Sequence, residues 1–333
     1  MKIDAHTRIL NSPFMKTLLP MLVLASLLAH AISAFAFSTD EIAPGVFVHR
    51  GQQVGVEDPA RGDSANLAFV VGTRCIAVID TGGSIATGRA WRATIAARSQ
   101  LPVCYVINTH GHFDHVLGNA AFVASGVEFV GHPALADTLE ASREFFARRF
   151  APELAGAPES AIVTPTQVVT ARRELDLGER VLVLHAQALA HSAADLTVFD
   201  QASGTLFTGD LLSVTRLPVL DGSLRGWQVW MRDTPAPVRV VPGHGPLVPW
   251  ARAINAQAGY LSGLEKTARA ALDDGVFLED LVEAAHSAAL EGWILTSPHP
   301  RNLSKAYREL EWELAGVLRS VRPACDTRNA SEG

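Results

Sequence analysis

Residues 108 to 115 read Asn108-Thr109-His110-Gly111-His112-Phe113-Asp114-His115, so three imidazoles and a carboxylate fall within six residues. Imidazole nitrogen and carboxylate oxygen are ligands of choice for zinc and similar divalent ions. A lone histidine is usually a core or surface residue making one hydrogen bond. Packing at this density would desolvate several polar groups without obvious partners, which favours a metal site over packing alone. Three further candidates follow in the second half of the chain. His191 lies in Ala190-His191-Ser192, Asp210 in Phe207-Thr208-Gly209-Asp210, and His244 in Pro242-Gly243-His244-Gly245. None of the three cysteines has a metal-like spacing, so the donor set is nitrogen and oxygen.

These residues need elements to hold them. The apolar run Val103 to Ile107 predicts a buried strand that delivers His110, with Gly111 allowing a sharp turn off the sheet. An earlier run, Cys75 to Ile79, ends in Asp80-Thr81-Gly82-Gly83 and forms a hairpin with Asn66 to Val71. Helix-like sequence from Ile85 to Arg98 joins the Cys75 strand to the Val103 strand. That order implies parallel strands and a right-handed crossover. Further strands are expected at 45–49, 127–130, 181–184, 196–199, 205–208 and 238–241. Helices are expected from Val116, at 135–150, 250–272, 278–290 and 302–318. Strands with helices interspersed in both halves predict two sheets packed together with helices outside. Ligands at the strand ends of both halves would then meet along one edge.

Composition narrows the class. The chain has 333 residues, 48% of them apolar and 19% charged, which are globular values. Net charge is −6 with no basic block, and nothing points to a nucleic-acid partner. Residues 17 to 32 are strongly apolar but short and interrupted, with Lys16 before them and Ala34-Phe35-Ala36 after. This pattern predicts a secretory signal peptide over residues 1–36, a mature chain starting at Phe37 and a periplasmic or secreted protein without stable membrane insertion. An uncleaved anchor is the alternative, and Met15 is a candidate start. Cys75 and Cys104 lie near the starts of the two motif-bearing strands. Two small buried thiols are the favoured reading, with a disulfide the alternative that export would permit.

His-x-His-x-Asp-His, a distant His, a Gly-Asp and Pro-Gly-His-Gly, in this order and preceded by Asp80-Thr81-Gly82, resemble the metallo-β-lactamase-fold superfamily over residues 43 to 250. The resemblance implies a mixed α/β fold, a four-layer αββα sandwich. The catalytic domain would span residues 37–250, with a helical part of the same domain over 251–333. It implies that His110, His112 and His191 hold one metal, that Asp114, His115 and His244 hold a second, and that Asp210 bridges them. Chemistry agrees, since the alternate residues His110 and His112 can point to one ion and two carboxylate oxygens can span metals about 3.5–4 Å apart. Asp80 would order the loop behind the ligands. Metallo-β-lactamases proper carry Cys or Ser where Asp210 stands, so antibiotic hydrolysis is not the first reading. Asp there is the pattern of glyoxalase II-like, lactonase-like, sulfatase-like and phosphodiesterase-like members. The flavodiiron branch has Glu where His112 stands.

The stretch Arg216 to Trp227 and His299-Pro300-Arg301-Asn302 resemble exported zinc metallohydrolases associated with quinoprotein alcohol-oxidation and sulfur-oxidation systems. The implied cofactor is a pair of zinc ions, with iron or manganese as alternatives. Water activated as hydroxide between the ions would attack an ester, thioester, lactone or sulfur ester, with Asp114 orienting it or accepting its proton. Asp221, Arg225 and Trp227 lie between Asp210 and His244 and are candidates for contacting a small-molecule substrate; a turn with one packed tryptophan is the alternative. His132, His185 and His299 read as structural. Two other classes stay open: a mononuclear iron sulfur oxidoreductase of the persulfide-dioxygenase kind, and a periplasmic metal-binding protein without turnover.

Overall fold

The structure is a computed structural model and describes residues 37–154, 161–284 and 290–321, with side chains of the last helix described up to 314. The expected signal segment, and the expected helical continuation over 285–289, lie outside the described residues. Among the described residues, no helix is long and apolar enough to cross a membrane.

Two sheets form the centre. The first contains β1 (Asp40–Ala43), β2 (Val46–His49), β3 (Leu67–Val71), β4 (Ile76–Ile79), β5 (Val103–Ile107), β6 (Glu128–Gly131) and β7 (Gln167–Val168), in that spatial order. Pairing is antiparallel from β1 to β4 and parallel from β4 to β7. The switch falls where α1 (Ile85–Arg98) provides the crossover that a parallel pair requires. Ser84 starts this helix by accepting from Thr87 N at 2.9 Å. The second sheet has the order β12 (Arg239–His244), β11 (Thr205–Ser213), β10 (Leu196–Asp200), β9 (Val181–Ala186), β8 (Arg172–Asp176), with only β11 and β12 parallel.

The sheets face each other across one apolar layer. Val48, Val70, Ile79 and Ile107 from the first meet Leu184, Leu196, Phe207 and Val241 from the second. The outer face of the first sheet is covered by Trp91 and Ile95 of α1. The outer face of the second is covered by α4 (Leu224–Asp233), α5 (Trp250–Asp273) and α7 (His299–Val321), through Trp227, Tyr260, Leu264 and Leu303. Layers therefore run helix, sheet, sheet, helix. β4 and β11 bury every residue; β4 reads as an unbroken apolar run, whereas β11 carries Thr208, Gly209 and Asp210 between two apolar pairs.

Several expected elements differ. The helix expected from Val116 is a single turn, α2 (Phe113–Val116), followed by a separate 3-10 turn at Asn119–Phe122. β11 runs on to Ser213 because its parallel pairing with β12 continues past a register irregularity at Gly209. That irregularity carries Asp210 to the sheet edge. β1, β7, β8 and α4 had no clear sequence signal, whereas α3 (Leu135–Arg149) ends one residue before its expected bound. Cys75 and Cys104 form a disulfide, with Cα atoms 5.8 Å apart, where the sequence reading favoured free thiols. The parallel pairing of β4 with β5 brings them together.

Candidate metal centre

Six of the candidates stand where a strand ends or on a loop, and the seventh, Asp210, follows the register irregularity at Gly209 inside β11. β5 delivers His110 and His112, and α2 turns Asp114 and His115 inward. His191 comes from the loop between β9 and β10. β11 carries Asp210, and His244 ends β12. Close backbone approach is required here: a Cβ on Gly243 would fall 2.0 Å from Asp210 Oδ1.

The seven side chains assemble into two groups. His110, His112, His191 and Asp210 form one, and Asp114, His115 and His244 the other. These are the groups that the resemblance implied. Asp210 faces both. Its Oδ2 lies 3.7 Å from His110 Nε2, 4.0 Å from His112 Nδ1, 3.8 Å from His191 Nε2 and 3.2 Å from His244 Nε2. Its Oδ1 lies 3.2 Å from His115 Nε2. Asp114 Oδ2 is 3.5 Å from His244 Nε2. His110 Nε2, His115 Nε2 and Asp210 Oδ1 are buried without a hydrogen-bond partner. Buried polar atoms are normally satisfied, so three orphans aimed at one another fit a bound cation rather than packing.

Outer contacts orient these rings. Asp80, held at φ 58°, accepts from Thr109 N at 2.9 Å and Thr109 Oγ1 at 2.7 Å, and lies 2.8 Å from His115 Nδ1. His244 Nδ1 lies 2.9 Å from Ser64 O, and Ser64 Oγ donates to Asp114 Oδ2 at 2.8 Å. His191 Nδ1 lies 2.8 Å from Val219 O, and His112 Nε2 lies 2.8 Å from Asp221 Oδ2. With each outer nitrogen donating its proton, the inner nitrogen is free to hold a metal.

Charge is shared unevenly because few carboxylates face many imidazoles. Burial, then the neighbouring His115, pushes His110 well below the usual imidazole value. Burial and the adjacent His112 lower His191 to about 4. Burial opposes protonation of His112 as well, but hydrogen bonds to Asp210 and Asp221 raise it to about 9. His115 rises well above the usual value because Asp210 and Asp80 outweigh its burial. Asp210 stays well below the carboxylate range, its burial overcome by His244, His115 and His110.

A cavity of about 660 Å³ opens over the cage. One wall is aromatic, formed by Phe113, Phe145, Phe146 and Phe150, with the Phe113 and Phe150 rings stacked at 4.2 Å. The other carries Arg216, Val219, Asp221 and Arg301. Of the three residues considered for substrate contact, only Asp221 lines this space. Arg225 is turned away by ion pairs to Glu265 at 2.7 Å and Glu313 at 3.0 Å. Trp227 is buried, donates to Leu211 O at 2.9 Å and meets His191 edge-on behind the cage. Both are corrections, with one cause: residues 224–233 form a helix packed on α5 and α7 rather than an open loop. His132, His185 and His299 stand outside both groups. No sequence signal pointed to Ser64 or the aromatic wall, whereas Thr109 sits beside His110.

The chain is similar to the stereoselective inverting sec-alkylsulfatase Pisa1 from Pseudomonas sp., with 16% identity, a TM-score of 0.61 and 86% of this chain covered. It spans about half of that protein's length, 52%. It is also similar to a metallo-beta-lactamase from Pontibacter korlensis, with 19% identity, a TM-score of 0.53, and 68% of this chain and 98% of the other covered. The protein TMB-1 gives 17% identity and a TM-score of 0.52 over 68% of this chain and 97% of the other. At such identities these likenesses show the fold alone. A search of curated protein sequences found no match. The sequence model of the metallo-beta-lactamase superfamily matches residues 60–272, which takes in every member of the cage, and the chain belongs to that superfamily.

Proposed function

We propose that this protein is an exported hydrolase that uses two divalent ions, zinc foremost, on an ester, thioester, lactone or sulfur-ester substrate. One observation carries the reading: the Asp210 carboxylate lies within 4.0 Å of imidazole nitrogens from both groups, some of them orphaned. His110, His112 and His191 would hold one ion, Asp114, His115 and His244 the other, and Asp210 both. Bound ions of this kind supply Lewis acidity, lowering the pKa of water toward neutrality and polarising the group under attack.

The chain's own residues do the remaining work. Asp114 keeps one oxygen fixed by Ser64 Oγ and presents the carboxylate at the cavity floor, where it can orient water or take its proton. Phe113, Phe145, Phe146 and Phe150 exclude water and accept the apolar part of a substrate. Arg216, which lines the cavity 3.9 Å from Asp114, adds a positive charge toward the oxygen that gains charge during attack. Export is supported by the signal-like segment ahead of Phe37 and by the Cys75–Cys104 pair.

Metal analysis of the secreted protein, coupled to a panel of acyl esters, thioesters, lactones and sulfate esters, tests the proposal. About two zinc ions per chain with turnover of one class is the expected result. One iron per chain with oxygen-dependent sulfur chemistry would replace it with an oxidoreductase. Two ions without turnover of any class would leave a metal-binding protein.

A further inference from the structure

We infer that the start of the C-terminal helix positions the ligands of the first group, with Asn302 and Arg301 acting through the loop Arg216–Ser223. This rests on the two-ion reading above. The loop is the direct support of that group. Val219 O accepts from His191 Nδ1 at 2.8 Å, while Asp221 N and Gly222 N donate to His191 O at 3.0 and 2.8 Å. The Asp221 carboxylate holds His112 Nε2 at 2.8 Å. Loop and ligand strand are in close backbone contact, since a Cβ on Gly222 would lie 2.3 Å from Ala190 O.

The loop in turn is held by α7. Asn302 Oδ1 accepts from Leu220 N at 2.8 Å, and its Nδ2 donates to Pro218 O at 2.7 Å and to Tyr260 Oη at 2.9 Å. These atoms bracket Val219, whose carbonyl orients His191. Asn302 is fully buried, so each bond matters to the loop's position. Arg301 pairs with Asp221 from the solvent side, fixing the carboxylate that orients His112. Two turns further along, Glu309 anchors the far end of the loop by accepting from Ser223 Oγ at 2.7 Å and Leu224 N at 2.7 Å. The second group meets this loop at Arg216, whose Nη1 lies 3.0 Å from His244 Nδ1 and 3.9 Å from Asp114 Oδ2. That residue is held by Ser213 Oγ and Ile294 rather than by Asn302, and the other outer partners of the group, Asp80 and Ser64, come from the first half of the chain.

The test measures affinity for Co²⁺ or Zn²⁺ in two full-length backgrounds that each leave one group. His244→Ala leaves the first group, and His191→Ala leaves the second. Asn302→Ala is expected to weaken binding roughly 10–100-fold in the first background, the usual cost of losing an outer-shell partner, and to leave the second within about twofold. Co²⁺ absorption in the His244→Ala background should shift with Asn302→Ala, as ring orientation changes. Glu313→Gln, on the same helix but bonded to Arg225 and Arg269, should leave both affinities unchanged. Equal losses in both backgrounds, or no loss in either, would overturn the inference. If Asn302→Ala does not fold, Arg301→Leu, at a side chain 62% exposed, repeats the test through His112. Failure of the wild-type chain to bind two ions would instead remove the reading beneath it.

Discussion

Asp114, His115 and His244 are braced by Asp80 and Ser64 from the first half of the chain, with Arg216 beside them, whereas His112 and His191 are braced by a loop and a helix that follow Asp210. The side chains of the former are nearly sealed, with His115 at 0% and His244 at 4% exposure, while His112 stands 29% exposed at the cavity floor. Within the first group only His112 is open, since His110 at 1% and His191 at 0% are as sealed as the second group. Asp80 and Ser64 come from the first half of the chain, whereas Asp221 and Val219 belong to a loop held by α7. The comparison teaches that one cage can draw its supports from distant parts of the chain, while the cavity opens over members of both groups, His112, Asp114, Asp210 and His244.

Asp210 belongs to both sides, so its loss should break the comparison most completely. Asp210→Asn is expected to lower kcat/KM at least about a thousandfold, or ~4 kcal/mol of transition-state stabilisation, and to reduce bound metal in both groups. Steady-state kinetics with metal analysis checks this, and retention of near-normal activity would sink the bridging role. Asp80→Asn acts unequally, because Asp80 touches His115 directly and His110 only through Thr109 Oγ1. Second-group affinity should fall roughly 10–100-fold while the first group stays within a few-fold. Metal titration in the single-group backgrounds separates the two.

Proton linkage sharpens the same contrast. In chelator-treated protein, His112 is raised to about 9 and His115 is raised well above the usual value. Raised imidazoles contribute stability that is complete below their ordinary value of 6.5 and fades as pH climbs through the folded value. Thermal stability of the metal-free chain should therefore fall between pH 6.5 and about 9. Asp221→Asn removes one support of the His112 charge and should flatten part of that slope, leaving the His115 part. Melting curves across this range decide it, and a rise with pH would contradict the assignment.

The smallest effect on the cage is expected from the disulfide. It closes a separation of 29 residues at the ends of β4 and β5 remote from Asp80 and His110. Cys75→Ser with Cys104→Ser should cost about 2–4 kcal/mol of unfolding free energy and leave both metal affinities unchanged. Denaturant melts beside metal titration show whether stability and the site are separable in this way.

The cluster that could hold a metal was legible in the chain because few residue types bind such ions, and His110, His112, Asp114 and His115 crowd one strand exit. The central strands were legible because burial on both faces demands apolar runs, as in β4. Asp80 was legible from its glycine-flanked turn. Short edge strands such as β1 and β7 were not, since a few residues paired on one side need little apolar signal.

Tertiary structure alone decided which residues near Asp210 in sequence would reach the cavity. Asp221 does, but Arg225 and Trp227, a few residues on, are turned away by packing of α4 against α5 and α7. It also decided that Ser64 would brace Asp114 and that Asn302 would brace the loop behind His191. Ligand chemistry is a property of side-chain type and can be read locally. Orientation depends on hydrogen bonds between residues as distant as 50 or 82 positions, and only the folded chain brings those together.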